Sequence, residues 1–239
     1  MKLHYLQHVP FENLGSILSW AEENGCIVTG THFYDDENLP TQIDYDWLVV
    51  MGGPMNIYDE KNYPWLAREK SFIREAIDSG KVVIGICLGA QLIADVIGGK
   101  VTQNHNLEIG WFPVRLSREA ISSTLFSFFP PQPKVFQWHE DTFSRLPKDT
   151  VYIAQNDACN NQAFIYKKKV FGFQFHLEST QETIKNLVKN CGYEMVPGTF
   201  VQTKKEVLSH PEYIKQANEW MDMFLTQLKR VEDKGVFNE

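Results

Sequence analysis

Two uninterrupted apolar runs, Trp47 to Met51 (WLVVM) and Val82 to Ile86 (VVIGI), constrain this chain more than anything else in it, and the first stops at Gly52-Gly53-Pro54. A strand with no polar position on either face is buried on both sides, which is the situation of a central parallel strand covered by helices. The neighbouring segments keep the alternation. Leu3 to Gln7 reads as a short strand, Leu14 to Asn24 carries apolar residues at helical spacing and stops at Gly25, and Cys26 to Thr31 begins a second strand. Leu66, Ile73 and Ile77 mark one helix face before Gly80, and Ala90 to Ile97 forms another helix ending at Gly98-Gly99. The expected fold is α/β, with a doubly wound, mostly parallel central sheet and helices on both faces.

From Val101 the strand candidates come closer together, at Gly110 to Leu116, Val135 to Trp138, Val151 to Gln155, Ala163 to Tyr166 and Val170 to Phe175, so part of the second half is expected to be antiparallel. Phe126 to Pro133 suits a loop or helix end, and Lys167 to Lys169 a solvated hairpin turn. After His210-Pro211, the residues Ile214, Ala217, Met221, Phe224 and Leu228 recur at helical spacing, and this terminal helix is expected to dock on the chain's own sheet. There is no internal repeat or low-complexity linker, so residues 1–239 are expected to form a single domain, with about 191–239 as a C-terminal helical extension.

Charge and cysteine usage narrow the function classes. With 23 basic and 30 acidic residues the net charge is -7, and the acids are scattered, which gives no electrostatic case for nucleic-acid binding. The four cysteines, at 26, 87, 159 and 191, form no C-x-x-C pair, so reduced thiols and a cytoplasmic location are expected. The first residues mix polar and apolar positions and no run approaches the length of a membrane span, so neither export nor membrane insertion is expected. The seven histidines form no compact ligand motif, and no metal or organic cofactor is expected.

One short segment carries the chemistry. Gly85-Ile86-Cys87-Leu88-Gly89 lies between an apolar strand and a helix, the setting of a nucleophile elbow with cysteine in place of serine. A helix beginning just after Cys87 places positive dipole beside the thiol and is expected to lower its pKa. His176 and Glu178 follow the strand at 170–175, and a spacing of two puts both side chains on one side of an extended segment, as a base and its orienting carboxylate require. Gly53, whose neighbour Pro54 has no N–H, and Leu88, directly after the nucleophile, are the candidate oxyanion donors. Each feature also has a plainer reading: a packed core cysteine, a surface His-x-Glu and an ordinary glycine turn.

Taken together, G-I-C-L-G-A-Q at 85–91, M-G-G-P-M at 51–55 and F-Q-F-H-L-E at 173–178 closely resemble the class I glutamine amidotransferase family, over roughly the first 190 residues. E-I-G-W at 108–111 and W-H-E-D at 138–141 resemble the family's pocket segments. The resemblance implies Cys87 as nucleophile, His176 as general acid/base, Glu178 as its partner, Gly53 and Leu88 as oxyanion donors, and Gln91 as a contact to the substrate glutamine. It assigns His139 and Asp141, less directly, to a polar loop lining the glutamine pocket. The implied reaction releases glutamate and ammonia, the latter for a separate ammonia-accepting synthetase. Alternatives are a γ-glutamyl peptidase using the same thioester, or a catalytically idle binding module. Synthase-linked members often have histidine where Ala90 stands and proline where Leu177 stands; alanine at the first position resembles the amidotransferase domain of GMP synthetase.

Overall fold

The computed structural model describes residues 1–35, 38–41 and 44–235. It opens with β1 (Lys2–Gln7), α1 (Ser16–Glu23) and β2 (Ile27–His32), the two strands running parallel from Lys2 beside Ile27 to Gln7 beside His32. Gly25 turns the chain between them at φ 63°, a conformation that side chains with a Cβ rarely adopt, which ends the helix there. β3 (Trp47–Val50), α2 (Trp65–Asp78), β4 (Val82–Ile86) and α3 (Leu88–Val96) follow, and every residue of β3 and β4 is buried.

The second half contains β5 (Lys100–Pro113), β6 (Arg115–Leu116), α4 (Arg118–Ser122), β7 (Lys134–Arg145), β8 (Thr150–Gln155), β9 (Ala163–Tyr166) and β10 (Val170–Phe173). It ends with α5 (Gln181–Cys191), α6 (Lys204–Leu208) and α7 (Pro211–Asp233). The central sheet has the order β2-β1-β3-β4-β10-β9-β8-β6. The first five strands in that order are parallel, and β9, β8 and β6 are added antiparallel, as expected for a mixed α/β sheet.

Alternation along the strands divides the core. Trp47, Val49 and Ile84 face one side, where Trp20 of α1 and Phe224 of α7 cover them; Leu48, Val50 and Val83 face the other, under Phe72 and Ile73 of α2 and Ile93 of α3. The expected docking of the last helix is seen in Phe224, whose ring lies 5.2 to 5.4 Å from those of Phe126, Phe171 and Phe173. Among the described residues no helix is long and apolar enough to cross a membrane.

The sequence reading needs correction at β5 and β7. β5 begins at Lys100 rather than near Gly110, and β7 runs on to Arg145, so His139 and Asp141 lie on a strand and not in a loop. The two strands form a separate antiparallel ribbon beside the main sheet. Their polar residues hide the strand pattern because they are satisfied by other buried groups: His139 of β7 bonds Glu108 of β5, and Gln137 bonds Gln162, just before β9.

Candidate active site

The carboxyl ends of β1, β3, β4 and β10 open on one edge of the sheet, the position where parallel α/β sheets place their ligands. Cys87 leaves β4 at φ 50°, ψ -107°, left-handed territory that an L residue enters only when its surroundings hold it. Its N–H donates to Phe173 O at 2.7 Å, tying the turn to β10. The flanking glycines are required by contact: a Cβ at Gly89 would lie 2.0 Å from Val50 O, and one at Gly85 would lie 2.6 Å from Ala90 N. Only glycine lets α3 start this close to β3 and β4.

The Cys87 thiol points to Trp138 O at 3.6 Å and receives Gln174 Nε2 at 3.7 Å. His176, 4% exposed, donates its N–H to Phe136 O at 2.8 Å, and its Nδ1 lies 2.7 Å from Glu178 Oε1. Its Nε2 is buried without a well-formed hydrogen bond and faces the thiol of Cys87. The segment bearing Glu178 is clamped from two directions. Ser16 N–H donates to Glu178 O at 2.9 Å, and Asn218 Nδ2 of α7 donates to Leu177 O at 2.8 Å and Ser179 O at 3.0 Å.

Burial pushes the Cys87 thiol up; the His176 imidazole and the Leu88 N–H pull it back without overcoming that push. The lowered thiol expected from the helix start alone is therefore not what the site shows. His176 is lowered by burial, but Glu178 and the thiol outweigh this and hold it well above the usual imidazole range. Thiol and imidazole form a coupled pair, which loses its first proton as a unit.

Cys87 lies in a cavity of about 460 Å³ that Gly53, Gln91, His139 and Asp141 also line. Leu88 is buried beneath, its side chain against Gly53 and its N–H toward the sulfur. Both hydrogens of Gln91 Nε2 are engaged, by Asp141 O at 3.0 Å and Gln174 Oε1 at 3.2 Å, leaving its oxygen as the group able to meet a ligand. The Asp141 carboxylate accepts from Asn56 Nδ2 at 2.8 Å. His139 borders the cavity, yet its nitrogens go to Glu108 Oε2 and Asp141 O, each at 3.0 Å. Of the two pocket segments expected from sequence, 138–141 lines the cavity and 108–111 lies behind it.

A class I glutamine amidotransferase family model matches residues 13–195, a span that includes Cys87, His176 and Glu178. The chain belongs to the class I glutamine amidotransferase family. It is 33% identical over 236 residues to the glutamine amidotransferase-like protein YfeJ of Salmonella typhimurium, covering 95% of this chain and 97% of that one. The glutamine-hydrolyzing GMP synthase of Vibrio atlanticus is 34% identical over 156 residues, but the match covers 62% of this chain and only 28% of the synthase. Among solved structures, SMU.1228c superposes with a TM-score of 0.90 at 31% identity, covering 96% of this chain and 100% of that one. A glutamine amidotransferase from Thermotoga maritima gives 0.85 at 28% identity, with 95% and 97% covered.

Two acidic members of the amidotransferase cavity, Glu12 and Glu194, carry no motif in the sequence. Glu12, in the loop after β1, lines it, makes no side-chain hydrogen bond with the described residues, and is pushed up to about 7 by burial, against the opposing pull of His176 and His8. A Cβ on Gly52 would lie 2.1 Å from Glu12 Oε2 and 3.4 Å from His176 Cε1, so a glycine at 52 is what admits this carboxyl. Its only sequence signal is position, since loops after parallel strands open on the ligand edge.

Proposed function

We propose that this chain hydrolyses the side-chain amide of glutamine through a γ-glutamyl thioester on Cys87. The observation that carries the reading is the sequence of groups at the strand edge: a thiol on a strained turn, an imidazole with one nitrogen facing it, and a carboxylate 2.7 Å from the other nitrogen. The Cys87 proton passes to His176 Nε2 as sulfur attacks the amide carbon, and Glu178 steadies the imidazolium. The amide oxygen becomes an oxyanion facing the N–H groups of Gly53 and Leu88. His176 returns the proton to the departing nitrogen, ammonia leaves, and the thioester remains. Water then attacks, giving its proton to His176; collapse releases glutamate and restores the thiol.

Gln91 and Asp141 present acceptors at the cavity wall, suited to an α-ammonium group, while His139, both of whose nitrogens are taken, acts through Asp141. Released ammonia would pass to a separate synthetase, in keeping with the partial match to GMP synthases. The whole chain is read as one unit working in the cytoplasm, where the thiol stays reduced, with residues from about 191 as a helical extension.

One observation favours a second reading. The cavity continues past Cys87 to Gln103, Glu140 and Glu194, which leaves space around a bound glutamyl group for a larger amine. A γ-glutamyl peptidase would use the same steps with that amine in place of ammonia. Glutamine, a γ-glutamyl dipeptide and glutathione, each given to the wild type and to Cys87→Ser, separate the two. Cys87-dependent ammonia release supports the amidotransferase reading; cleavage of the peptides alone transfers it to a peptidase. Equal turnover by both proteins removes Cys87 from the mechanism.

A further inference from the structure

A third buried imidazole–carboxylate pair, besides His176–Glu178 and His139–Glu108, has no part in the steps above. His8, at the end of β1, and Glu69, on α2, have fully buried side chains and meet at 2.8 Å, Nε2 to Oε1. The other ring nitrogen, Nδ1, lies 2.9 Å from the carbonyl oxygen of Gly52. A carbonyl oxygen only accepts, so wherever the proton sits along the His8–Glu69 contact, Nδ1 carries a hydrogen and donates it to Gly52. Phe33 and Trp65 stack on one another at 4.5 Å and both lie against the ring, centroids 5.6 and 5.5 Å away, which holds its plane. Stability does not account for the pair, because apolar residues of similar volume usually serve as well or better in such a place.

What the pair does fix is the Gly52–Gly53 peptide. The bond is trans and planar, so the Gly52 carbonyl and the Gly53 N–H point in opposite directions. Gly53 borders the cavity, and its N–H makes no hydrogen bond with the described residues. Two consecutive glycines have a freely rotating backbone, and a flip of this peptide would present a carbonyl oxygen where an N–H is needed.

We propose that His8, held by Glu69, is the positioning residue of the oxyanion hole: by taking the Gly52 carbonyl, it turns the Gly53 N–H toward the thiol. This rests on the thioester reading above. The matched family region begins at residue 13, so the device lies partly outside it.

The test compares chemistry that forms an oxyanion with chemistry that does not. p-Nitrophenyl acetate acylates a thiol through a tetrahedral oxyanion, whereas iodoacetamide alkylates it by direct displacement at carbon. Both are read at Cys87 by mass spectrometry, whatever the natural substrate. In His8→Leu, acylation should slow about 10- to 100-fold while alkylation stays within about twofold. His8→Asn, whose amide nitrogen stands near the Nδ1 position, should restore most of the rate. With glutamine, kcat should follow acylation while KM stays near the wild-type value. Should His8→Leu fail to fold, as judged by circular dichroism, His8→Ala takes its place. The proposal is overturned if acylation and alkylation fall together, if neither falls, or if His8→Asn is as slow as His8→Leu. A wild type that ignores glutamine but shows the expected acylation pattern would count against the substrate alone.

Discussion

Of the three buried imidazole–carboxylate pairs, His176 with Glu178 and His139 with Glu108 bear comparison. Both are buried, and they close at 2.7 and 3.0 Å. They differ at the second ring nitrogen. Nδ1 of His139 is held by Asp141 O, and Glu108 also receives Gln162 and Asn156, so that network is closed. Nε2 of His176 has no well-formed partner and looks at a thiol. The same two residue types build a closed strut in one place and, on the proposed mechanism, a proton carrier in the other, and what separates them is a single unfilled hydrogen-bonding position.

Mutations should pull the two pairs apart in opposite directions. His176→Ala is expected to lower glutamine turnover by about 10³- to 10⁴-fold, with a urea midpoint close to wild type. His139→Ala should do the reverse, costing about 3 kcal/mol in urea unfolding because a buried cavity opens and Glu108 loses its imidazole hydrogen bond, with turnover per folded molecule within about tenfold of wild type. A large activity loss in His139→Ala without destabilisation would break the contrast. Glu178→Gln should reduce kcat by about 10²-fold, since an amide can present a donor to Nδ1 and favour the wrong tautomer.

The smallest effect sharpens the electrostatics of the reactive pair. A charged Glu12 raises the Cys87 thiol, so its replacement by an amide removes that push. In Glu12→Gln the pH profile of Cys87 alkylation should move to lower pH by about half a unit. A shift to higher pH would mean that Glu12 acts by another route.

Legibility in the sequence followed distance along the chain. β3 and β4 could be read because burial on both faces leaves no polar interruption, and the placement of Cys87 and of His176 with Glu178 just past strand ends because each lies in a short motif with its own neighbours. The β5–β7 ribbon could not, because Glu108 and His139 satisfy one another across strands and each alone looks like a surface residue. Glu12, His8 and Glu69 were silent for the same reason: they matter only once the loop after β1, the loop after β3 and a face of α2 have come together. The thiol was misread in sign, since a helix start is visible in sequence and the enclosure that outweighs it is not.

Asn218 of α7 holds both carbonyls that flank Glu178, so the end of the chain reaches the reactive centre through two hydrogen bonds. Proteins open locally at free energies well below that of global unfolding, and each opening of α7 would release those carbonyls. If Cys87 carries the thioester, the fraction of time this helix spends docked sets an upper limit on the fraction of molecules able to turn over. Phe224 of that helix sits in the same buried cluster as Cys87, so a change in how firmly α7 is seated would alter the proportion of competent molecules and leave the chemistry within each of them intact.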